Sequence, residues 1–317
     1  MIRWGILGCG DVTEVKSGPA LRKAARSTVV SCMRRDAAKA ADYAERHGIP
    51  RSTGDADALI GDAEVDAVYV ATPPDSHAEY AVRALQAGKH VLVEKPMALT
   101  VAECDRMIEA AEASGRSLSV AFYRRALPRF EALRAICHDG TIGTPRAVAV
   151  RHLLRADDPP DVGWKLDPSV GGGGFFADMQ AHTLDWLDHA FGEATRISGH
   201  VRHLADGYPA EDMVAYAIDF GPVTASALCA YTVGRKEEGV EVLGTEGSAR
   251  MGFFRPSPVE VLREGEVVET RDLPDPPHVH QPFVERVVAH LLDGAPNPCD
   301  GHAGRRQAAI ADALYGR

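Results

Sequence analysis

The chain has no surplus of positive charge, no paired cysteines and no long apolar run, and each absence removes a class of function. Its 317 residues carry 35 basic against 45 acidic side chains, a formal net charge of −10. A net-acidic protein without a long basic run is a poor match for nucleic acid or an anionic membrane, although a local basic pocket for a phosphate stays compatible with it. The six cysteines (Cys9, Cys32, Cys104, Cys137, Cys229 and Cys299) are scattered, with no CxxC pair. In a chain this long they read as reduced thiols and not as a disulfide frame. No stretch approaches the ~18 apolar residues of a membrane helix. Met1–Leu7 is too short for a signal segment and leads straight into glycine and acid. The expectation is a cytoplasmic protein with a small-molecule partner. Internal repeats and low-complexity tracts are also missing.

What is present is an ordinary globular composition, 45% hydrophobic and 25% charged, in a length that suits two domains and needs no disulfide or metal to bury a core. The first part alternates strand and helix patterns. Apolar runs at Ile2–Leu7, Thr28–Met33, Ala67–Ala71, His90–Val93 and Ser117–Ala121 read as strands. Between them lie a helix running to about Ala25, one over Ala37–Arg46 ended by Gly48, one ending at Gly88 and one ending near Gly115. Ser76 with Glu79, and Thr100 with Glu103, have the spacing of capping boxes. Strict alternation of strand and helix implies an α/β domain with a doubly wound parallel sheet.

The pattern changes near Tyr123, so the expected domains are 1–122 and 123–317. Runs at Ala147–Leu153, Ile197–Leu204, Val214–Phe220, Val223–Thr232, Val240–Gly244, Val259–Arg263 and Val267–Leu273 have strand character. Val214, Tyr216, Ile218 and Phe220 share one face, and Glu264–Gly265–Glu266 is a hairpin turn. The second domain is therefore read as α+β with a large, mostly antiparallel open sheet. Phe175–Phe191 is its long helix, and Phe283–Leu292 and Arg305–Leu314 are amphipathic helices. The proline-rich stretches Asp157–Asp161 and Leu273–Pro277 are read as exposed loops, not domain linkers.

Between the first strand and first helix stands Gly8–Cys9–Gly10–Asp11–Val12–Thr13. A GxG at that place permits a tight turn, lets backbone approach a pyrophosphate and presents helix N-terminal amides to it, as in a Rossmann dinucleotide site. Thr13 stands where the fingerprint has its third glycine. The second strand of such a domain ordinarily ends in an acid for the adenosine ribose 2′-hydroxyl; here it ends in Arg34 and Arg35, followed by Asp36. A guanidinium there pairs with a 2′-phosphate, so NADP is expected over NAD. The alternative is a pair of surface arginines with Asp36 capping the next helix.

Two strand ends complete the pattern: Ala71–Thr72–Pro73–Pro74–Asp75–Ser76–His77 and Val93–Glu94–Lys95–Pro96. With the glycine turn, and in this order along nearly the whole chain, they resemble the glucose–fructose oxidoreductase, inositol dehydrogenase and rhizopine-catabolism (Gfo/Idh/MocA) family. The resemblance implies a dinucleotide site that includes Thr72, Pro73, His77 and Glu94, with Lys95 as the catalytic lysine. Chemistry agrees on Lys95: ligands bind outside the carboxyl ends of parallel strands, and a lysine there gives a proton to a carbonyl or takes one from an alcohol. Glu94 is read as positioning Lys95 or the nicotinamide ribose. His77 is read either as a site residue or as a cap or space-filler. No local residue decides whether the Lys95–Pro96 peptide is cis.

The glycine run Gly171–Gly174 precedes Asp178 and His182, which are i and i+4 and share a helical face that Asp185 and His189 continue. With Phe175, Leu184 and Leu187 alongside, this is a buried polar stripe, and such a stripe needs partners or a task. The resemblance implies that Asp178 and His182 stand beside the nicotinamide, His182 as second acid/base and Asp178 fixing its tautomer or binding a substrate hydroxyl. A metal pair and a hydrogen-bonded core stripe are the alternatives; the core stripe suits Asp185 and His189 better, and no metal is expected. By the same resemblance Trp164 and Lys165 border the substrate pocket, as does Tyr123, where many relatives carry asparagine. The expected activity is hydride exchange between nicotinamide and a sugar, polyol or related carbinol, in a homodimer or homotetramer paired through the C-terminal sheet. The alternatives are a dehydrogenase of aromatic trans-dihydrodiols and a dinucleotide-sensing regulator without catalysis.

Overall fold

The computed structural model describes residues 1–155 and 163–317; the loop expected at Asp157–Asp161 lies outside them. Two compact units are present, Met1–Ala126 with Pro276–Ala308, and Leu127–Asp275 with Ala309–Arg317.

The first unit runs β1 (Ile2–Leu7), α1 (Asp11–Val15), α2 (Ser17–Lys23), β2 (Ser27–Met33), α3 (Ala37–His47), β3 (Arg51–Thr53), α4 (Ala56–Ile60), β4 (Ala67–Val70), α5 (His77–Gln86), β5 (His90–Val93), α6 (Val101–Ser114) and β6 (Leu118–Val120). Its six strands are all parallel, in the order β3-β2-β1-β4-β5-β6. This is the Rossmann order, with the chain reversing direction across the sheet between β1 and β4. Central strands buried on both faces read as unbroken apolar runs, and every residue of β4 is buried.

Local chemistry explains where the helices start and stop. Asp36 caps α3 by accepting from the amides of Ala38 and Lys39 at 3.1 and 3.2 Å, and Gly48 ends it at φ +64°. Thr100 caps α6 through the Glu103 amide at 3.2 Å, while the Glu103 carboxylate reaches the Leu99 amide at 3.0 Å, one residue before the expected partner. The capping box expected at Ser76 does not form. Ser76 already has helical backbone angles, which an N-cap lacks, and its hydroxyl bonds Thr72 and the Pro73 carbonyl, both at 2.8 Å. The first helix, expected to be continuous to Ala25, breaks at Lys16. Pro19 fits the first turn of α2 but would remove a hydrogen bond from the interior of one long helix.

The second unit contains α7 (Pro128–Ile136), β7 (Pro145–Arg155), α8 (Pro168–Gly171), α9 (Ala181–Phe191), β8 (Arg196–Arg202), β9 (Met213–Asp219), β10 (Thr224–Val233), β11 (Glu237–Gly244), β12 (Ser248–Met251), β13 (Val259–Arg263) and β14 (Glu266–Arg271). The eight strands form one sheet, β14-β13-β12-β11-β7-β10-β9-β8, antiparallel throughout except for the β7–β10 pair. Glu264 and Gly265 both have positive φ, +50° and +86°, the signature of a two-residue type I′ hairpin between β13 and β14. The long helix expected from Phe175 begins instead as a π-turn over Phe176–Gln180 before α9 continues it.

The remaining helices are α10 (Gln281–Asp293) and α11 (Gly301–Tyr315). The expected division at 122/123 therefore needs correction. The chain passes between units at Ala126–Leu127, returns to the first at Asp275–Pro276, inside the stretch read as no linker, and crosses once more within α11. Val284, Val287 and Val288 of α10 are buried, and α10 packs on α2. Arg26 pairs with Asp293, and Lys23 lies 2.6 Å from His278. Gly304 of α11 packs so closely that a Cβ there would be 2.7 Å from Met97 and Val120. Apolar periodicity reveals that a helix has a buried face, not which sheet covers it.

Candidate functional site

The turn after β1 is shaped by close backbone approach. Gly8 has φ +91°, and a Cβ on it would stand 2.7 Å from the Thr72 amide nitrogen and 2.8 Å from the Ala71 carbonyl. The amides of Gly8 and Cys9 both donate to the Met33 carbonyl, at 2.9 and 3.1 Å, which ties the turn to the end of β2. Gly10 is different: a Cβ there would meet nothing nearer than 3.9 Å, so its missing side chain leaves room above the turn for a ligand. Buried Thr13, at the third-glycine position, closes the turn from below. Its hydroxyl accepts from the Gly10 amide at 3.0 Å and donates to the Gly10 carbonyl at 2.7 Å. The close-packing role passes to Gly18, whose Cβ would overlap the Thr13 carbonyl and lie 2.6 Å from the Tyr43 hydroxyl. Asp11 and Val12 occupy the first two positions of α1, where amides have no intrahelical acceptor. Arg34 and Arg35 are exposed; Arg34 Nη1 is 3.5 Å from the Cys9 carbonyl, beside the cradle. Asp36 is engaged as the α3 cap, as the alternative reading had it. These residues fit a dinucleotide: the cradle that a Cβ at Gly10 would fill, two orphan amides and an exposed cation beside the turn.

Lys95 follows β5, on the loop carrying a cis peptide to Pro96. The residues around it in sequence turn inward. The Glu94 carboxylate is buried; it accepts from the Tyr69 hydroxyl and, at 3.2 Å, from the Lys95 amide, while His280 Nε2 stands 3.4 Å away. Burial alone would raise its pKa. The facing His280, the Tyr69 hydroxyl and the charge of Lys95 more than offset this and hold it down at about 2. Glu94 thus anchors the Lys95 backbone. His77, buried, sets Nδ1 2.9 Å from the Pro96 carbonyl and Nε2 2.8 Å from the Thr72 carbonyl. Burial lowers its pKa, and the ring spans the loops after β4 and β5. His77 thus holds the Thr72 and Pro96 backbone, and Glu94 the Lys95 backbone, a geometry that matches the supporting reading of each. Tyr123 is also buried in this unit, its ring stacked 4.1 Å from that of His280. Sequence reasoning missed Tyr69 and His280; a lone histidine about 190 residues downstream carries no local signal.

In the second unit Asp178 lies in the π-turn, its amide bonded to the Gly174 carbonyl at 3.1 Å. Lys165 Nζ pairs with Asp178 Oδ2 at 2.9 Å and lies 6.0 Å from the half-exposed Trp164 ring. The structure thus brings Trp164, Lys165 and Asp178 together. His182, in the first turn of α9, is buried, as is Asp185, while His189 is half-buried. Among the described residues no group of three or more His, Cys, Asp or Glu side chains is placed to hold a metal ion. A further residue without a sequence signal is Glu211, a buried carboxylate against the glycine run.

Two family models match the chain: an oxidoreductase family with an NAD-binding Rossmann fold over residues 2–122, and the GFO/IDH/MocA C-terminal domain over 130–250. The chain belongs to the Gfo/Idh/MocA family. It is 34% identical to oxidoreductase P35 of Formosa agariphila, across 99% of this chain and 98% of that protein. It is 36% identical to the 1,5-anhydro-D-fructose reductase of Ensifer adhaerens, across 78% of this chain and 75% of that one. Among solved structures, a 3-ketoreductase from Actinomadura kijaniata in complex with NADP and TDP-benzene superposes with a TM-score of 0.87 at 26% identity, covering 99% and 97% of the two chains. As a Gfo/Idh/MocA protein the chain is an NAD(P)-dependent oxidoreductase that transfers hydride to or from CH–OH substrates.

The two glycines separate folding from binding. Gly18→Ala should cost at least about 2 kcal/mol of stability in urea unfolding, because rigid backbone must move. Gly10→Ala should leave that midpoint unchanged and weaken dinucleotide binding by about tenfold or more in a fluorescence titration. Equal stability losses would contradict the open space above Gly10.

The depressed Glu94 pKa has a pH consequence. Its ordinary value of 4.5 applies unfolded and about 2 applies folded, so the stability gained from ionised Glu94 is fully present above pH 4.5. It is lost as pH falls through 2. The stability difference between wild type and Glu94→Gln should therefore shrink steadily between pH 5 and pH 2, by roughly 3 kcal/mol. A difference independent of pH in that window would show that the carboxylate is not held ionised.

Proposed function

We propose that this Gfo/Idh/MocA oxidoreductase acts with NADP on a sugar-derived carbonyl or carbinol. The observation that carries the substrate class is the Lys165–Asp178 ion pair, whose Asp178 stands four residues before His182 in sequence. It offers one cationic donor and one anionic acceptor on adjacent elements, a match for vicinal hydroxyls and a poor one for an apolar ring. The likeness to the 1,5-anhydro-D-fructose reductase supports the same class. Arg34 beside the cradle supports NADP, as does the NADP bound to the related 3-ketoreductase.

The dinucleotide, when bound, supplies or accepts the hydride at nicotinamide C4. Lys95 handles the proton: Nζ donates it to the carbonyl oxygen as that carbon gains hydride, or takes it from the hydroxyl in oxidation. Glu94 fixes the backbone from which Lys95 projects. Asp178 accepts from a substrate hydroxyl, and His182 is the second acid/base.

A panel of aldoses, ketoses, anhydro-sugars, inositols and dihydrodiols, followed by nicotinamide absorbance with NADP(H) and NAD(H), tests this. Turnover of a sugar with NADPH should fall at least ~100-fold in Lys95→Ala, and Arg34→Asp should reduce the preference for NADPH by about tenfold or more. Tight dinucleotide binding with no turnover across the panel would sink the reading.

The homo-oligomer rests on the second sheet. Paired outward positions Ala217, Ser226 and Ala149 are small, and Glu241, Arg250 and Glu260 continue the row with alternating charge. A row of small residues beside both charge signs suits packing against a second copy. Light scattering should give a dimer or tetramer that Ala217→Arg dissociates; a monomeric wild type would count against it.

A further inference from the structure

One buried carboxylate in the second unit gathers contacts that the chemistry above does not use. Glu211 is 6% exposed. Both its oxygens accept from the Gly174 amide at 2.7 Å, and Oε1 also faces the Ala177 amide at 3.4 Å and the Tyr315 hydroxyl at 2.9 Å. Gly174 and Ala177 flank the start of the π-turn Phe176–Gln180, the turn that carries Asp178. The first amides of a helix have no intrahelical acceptor, and negative charge at that end is stabilising. A buried carboxylate satisfies both needs at once.

The same segment is gripped from α11 and the residues after it. A Cβ on Gly173 would overlap the Tyr315 hydroxyl and lie 2.8 Å from Ala177 Cβ, and one on Gly174 would be 2.7 Å from Ala210 Cβ. Gly173 and Gly174 are thus glycine because Tyr315 and Ala210 press against them. Arg317 donates to the Gly172 carbonyl at 3.1 Å while its guanidinium covers the Tyr315 ring at 4.6 Å. Burial and the facing Glu211 push the Tyr315 pKa well above its ordinary value, so the phenol keeps the proton it donates. π-turns are rare and need support from outside their own hydrogen bonds. Here that support comes from residues 30 or more positions away in sequence.

We propose that Glu211, with Tyr315 as its donor, is a positioning residue for the Asp178–His182 turn: it fixes the turn in the geometry in which those two side chains meet substrate. This rests on the reading that Asp178 and His182 act on the substrate. Neither Glu211 nor Tyr315 touches the reacting atoms; they act through the Gly174 and Ala177 amides.

The test uses the full chain as wild type, Glu211→Gln, Tyr315→Phe and the double variant, with Asp178→Asn as reference. Hydrogen exchange over the peptide spanning 172–182 should quicken about tenfold in each single variant, with β9 and β10 unchanged. For the best substrate of the panel, kcat should fall about tenfold in Glu211→Gln while KM for the dinucleotide stays constant. The double variant should be little worse than Glu211→Gln, since both changes dismantle one device. Tyr315→Phe removes a single hydroxyl and keeps the question answerable should Glu211→Gln fold poorly. Unchanged exchange over 172–182, or faster exchange with kcat intact while Asp178→Asn loses turnover, overturns the positioning role alone. Full turnover in Asp178→Asn overturns the reading of the site beneath it.

Discussion

An ionised carboxylate taken out of water loses several kcal/mol of solvation, and only hydrogen bonds and nearby positive charge offset the loss. Each unit of this protein holds a buried carboxylate against the backbone of its candidate site. In the first, Glu94 collects Tyr69, the Lys95 amide and His280. In the second, Glu211 collects the amides of Gly174 and Ala177 and the Tyr315 hydroxyl. Both carboxylates bind backbone beside a candidate side chain, Lys95 in one unit and Asp178 in the other. The cost of burying the charge makes the arrangement stringent: donors that drift leave an unpaired anion in a dry place, so the backbone holding those donors cannot drift either.

The parts of the fold legible in the sequence are those written in contiguous residues. β1, β4 and β5 are short apolar runs with turn chemistry on both sides, and Asp36 and Thr100 announce their helices. β3, with the polar sequence Arg–Ser–Thr at the sheet edge, has no periodic signal, and neither does the four-residue β12. Ser76 had the right neighbours for a cap, but the proline-led turn before it had already placed it in helical geometry. The route of the chain after Asp275 was hidden, because the apolar stripes of α10 and α11 would suit either sheet.

The site divides along the same line. Gly8, Gly10 and Lys95 belong to local patterns with a physical purpose, and the structure puts the first two where such a purpose requires. Arg34 was legible but ambiguous, since a strand-end arginine looks alike whether it awaits a phosphate or faces water. His77 and Glu94 were noticed for their place in a motif, and both bind the backbone of the loops after β4 and β5. His280 and Glu211 could not be noticed at all: each is an isolated polar residue whose partners lie tens to hundreds of positions away. The i, i+4 spacing of Asp178 and His182 was correct as arithmetic, while the π-turn between them depends on tertiary contacts that no local window contains.

The return of Pro276–Ala308 to the first unit carries a consequence for how the protein comes into being. A chain emerging from the ribosome delivers the six strands of the parallel sheet early, and with them Glu94 and Tyr69. His280 and the helix that covers α2 arrive only after the whole second sheet has been synthesised. Until then the Glu94 carboxylate lacks one of its three partners, and the apolar surface that meets Val284, Val287 and Val288 is bare. The dinucleotide-binding half, first in the sequence, is among the last parts of the molecule to be finished.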